Sequence, residues 1–403
     1  MSSVESIHHP DPVVIVSCAR TPMGGFQGCL GDLTAAQLGA TAIKSAVERI
    51  DPDFACEIDE VIMGNVLSAG QGQAPARQAA LGAGLPKSSH CTTINKMCGS
   101  GMKATMLAHD LLIAGSATIM VSGGMESMTN APYLLPKARG GQRMGHGQML
   151  DHMFLDGLED AYDKGSLMGI FAEQCADKYQ FTREQQDAFA IESVKRAQAA
   201  ITQGRFSDEI ASVEVKTRKG TNTISQDEQP FKSLIDKIPE LRPAFKKDGS
   251  VTAANASSIS DGAAALILMR QSQAQHRGIR PIAKILGHAS FAHAPSWFTT
   301  APVYAIEALL KKLSWQISDV DLFEINEAFA VVTMAAMTSL AIPHEKVNVH
   351  GGACALGHPI GASGARILVT LLNALQHHQL KRGIASLCIG GGEATSMAVE
   401  LCD

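Results

Sequence analysis

Pro12–Ser17 is an apolar run without polar alternation, the pattern of a strand covered on both faces. Thr34–Ile50 carries Leu38, Ile43 and Val47 at helical spacing behind a capping threonine. The alternation goes on. Ile58–Asn65 reads as a strand, Ala74–Leu81 as a helix and Cys91–Asn95 as a strand. Met102, Met106, Leu107 and Leu111 then fall on one helical side, with Gly115 as a stop, before the strand Ala117–Gly124. Strands alternating with helices predict an α/β layered domain.

The texture changes near Thr129. Pro132, Pro136 and a scatter of glycines from Gly140 to Gly147 break every period. Helices resume at Leu167–Tyr179 and Arg183–Gln203. The second has Thr182 as cap, with Gln185 three residues on. Ser207–Phe245 reads as polar and irregular, and Asp261–Met269 returns to a buried strand. Residues 129–258 therefore read as an inserted loop domain, of a length that suits a lid. It divides a first half, 1–128 completed by 259–280, from a second, 281–403.

The second half echoes the first. Asp321–Asn326 parallels Asp59–Asn65, an acidic start, an apolar strand and a terminal asparagine. Ser122–Met128 is echoed by Gly390–Met397. Cys98 and His358 follow their asparagines at almost equal distance. Echoes in one order predict two similar halves about a pseudo-twofold axis.

At 403 residues the chain exceeds one ordinary core. A net charge of −5 and 5% aromatic residues give no case for nucleic acid or an anionic membrane. Nine scattered cysteines without a C-x-x-C pair suit a reducing compartment. Met1–Pro12 lacks a basic, apolar leader pattern, and no apolar run approaches a membrane span. The expectation is a cytoplasmic protein. His8-His9 and His377-His378 read as solvated.

Three stretches hold the candidate chemistry. Cys98, in Asn95-Lys96-Met97-Cys98-Gly99-Ser100-Gly101, precedes a helix whose N-terminus favours a thiolate. His358 lies in Gly357-His358-Pro359-Ile360-Gly361, where proline suits a first helical turn. Cys388 ends a strand ahead of Gly390-Gly391-Gly392, whose N–H groups suit an oxyanion better than a phosphate. A zinc site on Cys354 and His358 lacks further ligands at metal spacing.

These stretches, with Asn326 in Asn-Glu-Ala-Phe-Ala and the run Gly361-Ala362-Ser363-Gly364-Ala365, resemble the four signature blocks of the thiolase family, in order and over nearly the whole chain. Phe323–Ala330 and Leu241–Phe245 resemble its short-chain biosynthetic members, the acetyl-CoA acetyltransferases. The resemblance implies a thiolase-like fold: two βαβαβαββ halves in five α-β-α-β-α layers, an inserted loop domain, and a homotetramer. It implies condensation of two acetyl-CoA to acetoacetyl-CoA and CoA, and the reverse thiolysis. Cys98 would be nucleophile, His358 its base and Cys388 the second acid–base. Asn326 would hold a water, and Gly390 an oxyanion N–H. Ser257, Met168, Phe245, Ala328 and Phe329 would line the acyl and pantetheine channel. No cofactor or metal is implied, since coenzyme A is substrate and product.

Four positions depart from the family pattern. Leu167 stands where histidine is common, and Pro230 where an arginine is expected, so Lys232 would substitute near the CoA adenosine. Phe298 stands in place of a methionine, and Phe231 in place of a tyrosine that serves potassium. Two other readings stay open: a degradative 3-ketoacyl-CoA thiolase of broader chain length, and a silent CoA or lipid binder.

Overall fold

The structure is a computed structural model that describes residues 11–218 and 220–402. His8-His9 and most of the stretch read for a leader lie outside them. The first half runs Val13–Arg20 (β1), Ala35–Glu48 (α1), Glu60–Gly64 (β2), Pro75–Gly82 (α2), His90–Ile94 (β3), Ser100–Ala114 (α3) and Ile119–Ser127 (β4). After an excursion that holds Met168–Tyr179 (α4) and Arg183–Thr202 (α5), Ser260–Arg270 (β5) completes it. The second half is Ala283–Ala292 (β6), Ala301–Leu313 (α6), Leu322–Ile325 (β7), Ala330–Leu340 (α7), Ser363–His378 (α8), Arg382–Ile389 (β8) and Glu393–Leu401 (β9).

These strands share one sheet in the order β7-β8-β9-β6-β1-β5-β4-β2-β3, with Gly24–Gly25 as a tenth strand against β5. β2 is parallel to β4, and β4 antiparallel to β5. β7 and β8, then β8 and β9, repeat that pattern. The echo in sequence is thus a repeat in topology. The counterpart of β3 shrinks to a single parallel bridge, Phe323–Val347. The halves join through β1 and β6 at Val14–Lys284 and Ile15–Ala283.

Five layers follow from what each helix buries. α1 and α2 set Leu38, Ile43 and Ala79 against Val61, Val121 and Ile267 on one outer face. α6 and α7 set Ile306, Leu309 and Ala336 against Phe323 and Ile384 on the other. α3 and α8 fill the middle, with Met102, Met106, Leu368 and Leu372 against Ile15, Leu266, Leu387 and Met397. Covered on both faces, β1 is buried at every position and β5 at all but the last. Their sequences accordingly show no alternation.

The two central helices meet at glycines. A Cβ on Gly101 would lie 2.7 Å from Ala365 N, and one on Gly364 2.4 Å from Met102 N. Only a hydrogen fits there. The contact brings together the loops that precede both helices, one from each half.

The excursion differs from its reading in one place. The stretch read as irregular contains a hairpin, Val213–Thr217 with Gly220–Ile224. Val213 and Val215 are buried and Glu214 and Lys216 exposed, a short period-two pattern masked by its polar setting. Arg20 anchors the excursion to β1 by buried pairs with Glu209 and with Asp227, the latter at 2.7 and 2.9 Å.

Candidate active site

Cys98 lies in the tight turn between β3 and α3. Asn95 Oδ1 accepts from Met97 N at 2.9 Å. Ser100 Oγ accepts from Lys96 N at 2.8 Å and donates to Met97 O at 2.6 Å. Met97 is held at φ 45°, a left-handed conformation that costs a side-chain-bearing residue ~1–2 kcal/mol. A Cβ on Gly99 would fall 2.4 Å from Ile389 Cδ1, so this turn is pressed against the end of β8, beside Cys388.

His358 precedes α8 by five residues, where its proline had suggested a first helical turn. Pro359–Ala362 form a turn first, and Ser363 N donates to Pro359 O at 3.0 Å. His358 N donates to Ser258 O at 3.1 Å, which ties the histidine to the start of β5. Its Nδ1 is 2.5 Å from Ser363 Oγ, and that hydroxyl donates to Pro359 O at 3.0 Å. The ring proton therefore sits on Nδ1, and Nε2 presents its lone pair. Nε2 is buried and has no hydrogen-bond partner among the described residues. Asn326, at the end of β7, sets Nδ2 3.5 Å from His358 Nδ1, while its buried Oδ1 has no partner either.

The electrostatics correct one expectation. Burial pushes the Cys98 thiol up to about 11, against the N–H groups of Gly390 and of Cys98 itself. The helix terminus does not produce a resting thiolate, because dehydration outweighs it. Burial and then Cys98 push the Cys388 thiol well above its ordinary value. Burial, with Arg366 adding, pushes His358 down to about 3. Two neutral thiols thus share a site with a neutral imidazole.

All three line one cavity of about 420 Å³, as does Gly390. Met168, Phe245, Ser257, Ala328 and Phe329 line it too. Phe245 and Phe329 meet edge to face at 6.0 Å. Gly169 has no side chain because the Phe245 ring passes 2.3 Å from where its Cβ would be. Lys232 is not brought to this cavity; it is exposed and paired with Glu228. Its neighbour Ser233 lines a second cavity of about 310 Å³, which shares Ala253 and Ser258 with the first.

Residues 13–272 match the family model for the thiolase N-terminal domain, and residues 279–401 that for the thiolase C-terminal domain. The chain belongs to the thiolase family. It is 51% identical to acetyl-CoA acetyltransferase 1 of Arabidopsis thaliana, over 97% of this chain and 94% of that one. It is 47% identical to the acetyl-CoA acetyltransferase of Saccharomyces cerevisiae, over 96% and 98%. The crystal structure of Acat5 thiolase from Ascaris suum in complex with coenzyme A superposes with a TM-score of 0.91 at 42% identity, covering 97% of this chain and all of that one.

The cavity is also lined by residues that sequence reasoning passed over. Phe154 and Leu158, in a one-turn π-helix, and Ile360 add apolar wall. A Phe-Leu pair in a polar, glycine-rich stretch was the available signal. Ser363 and Glu126 act on the backbone and the ring behind the wall. Glu126 accepts from Val66 N at 3.0 Å, Leu67 N at 3.1 Å and Asn65 Nδ2 at 2.9 Å. It also accepts from Gly361 N at 2.8 Å, three residues from His358. One buried carboxylate so binds the end of β2 to the histidine loop of the other half. Burial raises its pKa to about 7 against these donors.

Proposed function

We propose that the chain is an acetyl-CoA C-acetyltransferase. It condenses two acetyl-CoA into acetoacetyl-CoA and CoA, and it runs the reverse thiolysis. The observation that carries this reading is one apolar cavity in which opposite halves present two thiols and an imidazole with its Nε2 lone pair free. The names of the relatives agree with it.

In this mechanism His358 Nε2 takes the proton of Cys98 as its sulfur attacks the acetyl carbonyl. The N–H groups of Cys98 and Gly390 hold the oxyanion, each such donor supplying ~3–4 kcal/mol of barrier lowering. CoA leaves with the proton of Cys388. The site then holds acetyl-Cys98, a Cys388 thiolate and a His358 imidazolium. The thiolate removes a methyl proton from a second acetyl-CoA. His358 Nε2–H and a water held by Asn326 support the resulting enolate oxygen. The carbanion attacks acetyl-Cys98, acetoacetyl-CoA departs, and the imidazolium returns its proton to Cys98. Every proton is accounted for without a cofactor or metal.

Ser257, Met168, Phe245, Ala328 and Phe329 position the pantetheine and acyl groups, Lys232 meets the CoA phosphates, and residues 129–258 roof the cavity. A cytoplasmic homotetramer is part of the same proposal. Among the described residues no helix is long and apolar enough to cross a membrane.

Mass spectrometry after acetyl-CoA treatment tests the reading. Acetyl on Cys98 is expected in the wild type, more slowly in Cys388→Ala, and not at all in Cys98→Ala. Unmodified Cys98 in the wild type would defeat it in favour of a silent CoA binder. A thiolysis series over acyl length separates the degradative alternative: rates that hold on long chains would assign that enzyme instead.

A further inference from the structure

A second cluster of reactive side chains lies away from the cavity. His109 and Asp110 sit toward the C-terminal end of α3, and His288 sits in β6 of the other half. Asp110 Oδ1 is 3.0 Å from His109 Nδ1 and 3.0 Å from His288 Nε2. The two rings meet edge to face with centroids 5.1 Å apart. All three donor atoms lie within 4.8 Å of one another.

We propose that His109, Asp110 and His288 form a site for a divalent ion of the Zn²⁺ or Co²⁺ type. Two imidazole nitrogens and one carboxylate oxygen would bind it, with water as fourth ligand. The donor types suit a borderline ion. With bonds of about 2.0–2.2 Å, a tetrahedral ion separates its ligand atoms by roughly 3.3–3.6 Å. The 3.0 Å contacts need only a small opening to admit one. The histidine side chains are 17% and 13% exposed, and that of Asp110 is 54%. The rings are therefore held by packing, while the carboxylate side opens to water. Lys312, whose Nζ donates to His288 O at 3.2 Å, and Arg270 oppose a cation. The affinity is accordingly modest, and the site acts as a clip between α3 and β6 rather than in the reaction.

The test uses full-length protein stripped with chelator. Co²⁺ titration of the wild type should show one more equivalent per chain than His288→Gln or His109→Gln. Its ligand-field bands should lack sulfur-to-metal charge transfer. Zn²⁺ should raise the Tm of the wild type and not of the variants. Metal-free condensation rates should match in all three. Asp110→Asn, half-exposed and nearly isosteric, should weaken binding by about 10-fold or more. Equal stoichiometry and affinity in wild type and variants, or bands with only sulfur charge transfer, would overturn the site and assign the metal to cysteines.

Discussion

Ser363 accepts the Nδ1 proton of His358 and passes its own hydrogen to Pro359 O. Alanine at 363 leaves that N–H buried without an acceptor, at a cost of ~1–3 kcal/mol. Steady-state kinetics should show kcat down roughly 10–100-fold with little change in KM. Glu126→Gln should also lower kcat. An amide offers one acceptor oxygen where the carboxylate serves four donors, so the backbone at Val66 or Gly361 must shift. The same site sets a pH dependence of stability. The unfolded Cys98 thiol ionises near 9.0 and the folded one near 11, so stability present below pH 9 is lost as pH rises to 11. His358 mirrors it: its folded pKa lies near 3 against 6.5, so stability is lost as pH falls from 6.5 to 3. Cys98 and His358 were legible because small residues flank them. Ser363 and Glu126 were not, because a buried serine or glutamate carries no local mark of what it holds.

The geometry of α3 against α8 puts Cys98 and His358 in one cavity. Gly364→Ala should force the helices apart, since its Cβ would meet Met102 N at 2.4 Å. The expected result is a kcat loss of at least ten-fold, larger than the accompanying loss of Tm accounts for. Activity that tracks folded fraction alone would refute this account of the crossing. Most elements could be read from periodicity, and both long-helix caps from composition. Thr34 and Thr182 each form a capping box, with Gln37 and Gln185. The start of α8 could not be placed. Pro359 is compatible with a first helical turn, and only the Ser363 contacts put the start later.

Across the whole molecule, buried charge ties the excursion to the sheet. Arg20 is fully buried between Glu209 and Asp227. Removing one partner of such a group costs ~3–5 kcal/mol, so Arg20→Met should lower the Tm by several degrees. His350 is buried beside His377, His378 and Arg205, and both its nitrogens lack partners among the described residues. Burial and these neighbours push it down to about 3. His350→Leu should therefore gain about 2 kcal/mol on the wild type between pH 7 and pH 5, read by urea unfolding at each pH. A constant difference would exclude His350 from the acid limb.

The order of strands and helices, the doubling of the chain and the choice of Cys98, His358 and Cys388 as candidates were set along the sequence. Periodicity, capping and small flanking residues are local properties. The state of those side chains was decided only in three dimensions. Burial makes Cys98 a neutral thiol where its helix position alone suggested a thiolate, and Ser363 selects the tautomer of His358. His109, Asp110 and His288 converge only because α3 and β6, 178 residues apart at Asp110 and His288, pack side by side. Dehydration and contact between distant segments depend on how the layers close, and no local pattern records that.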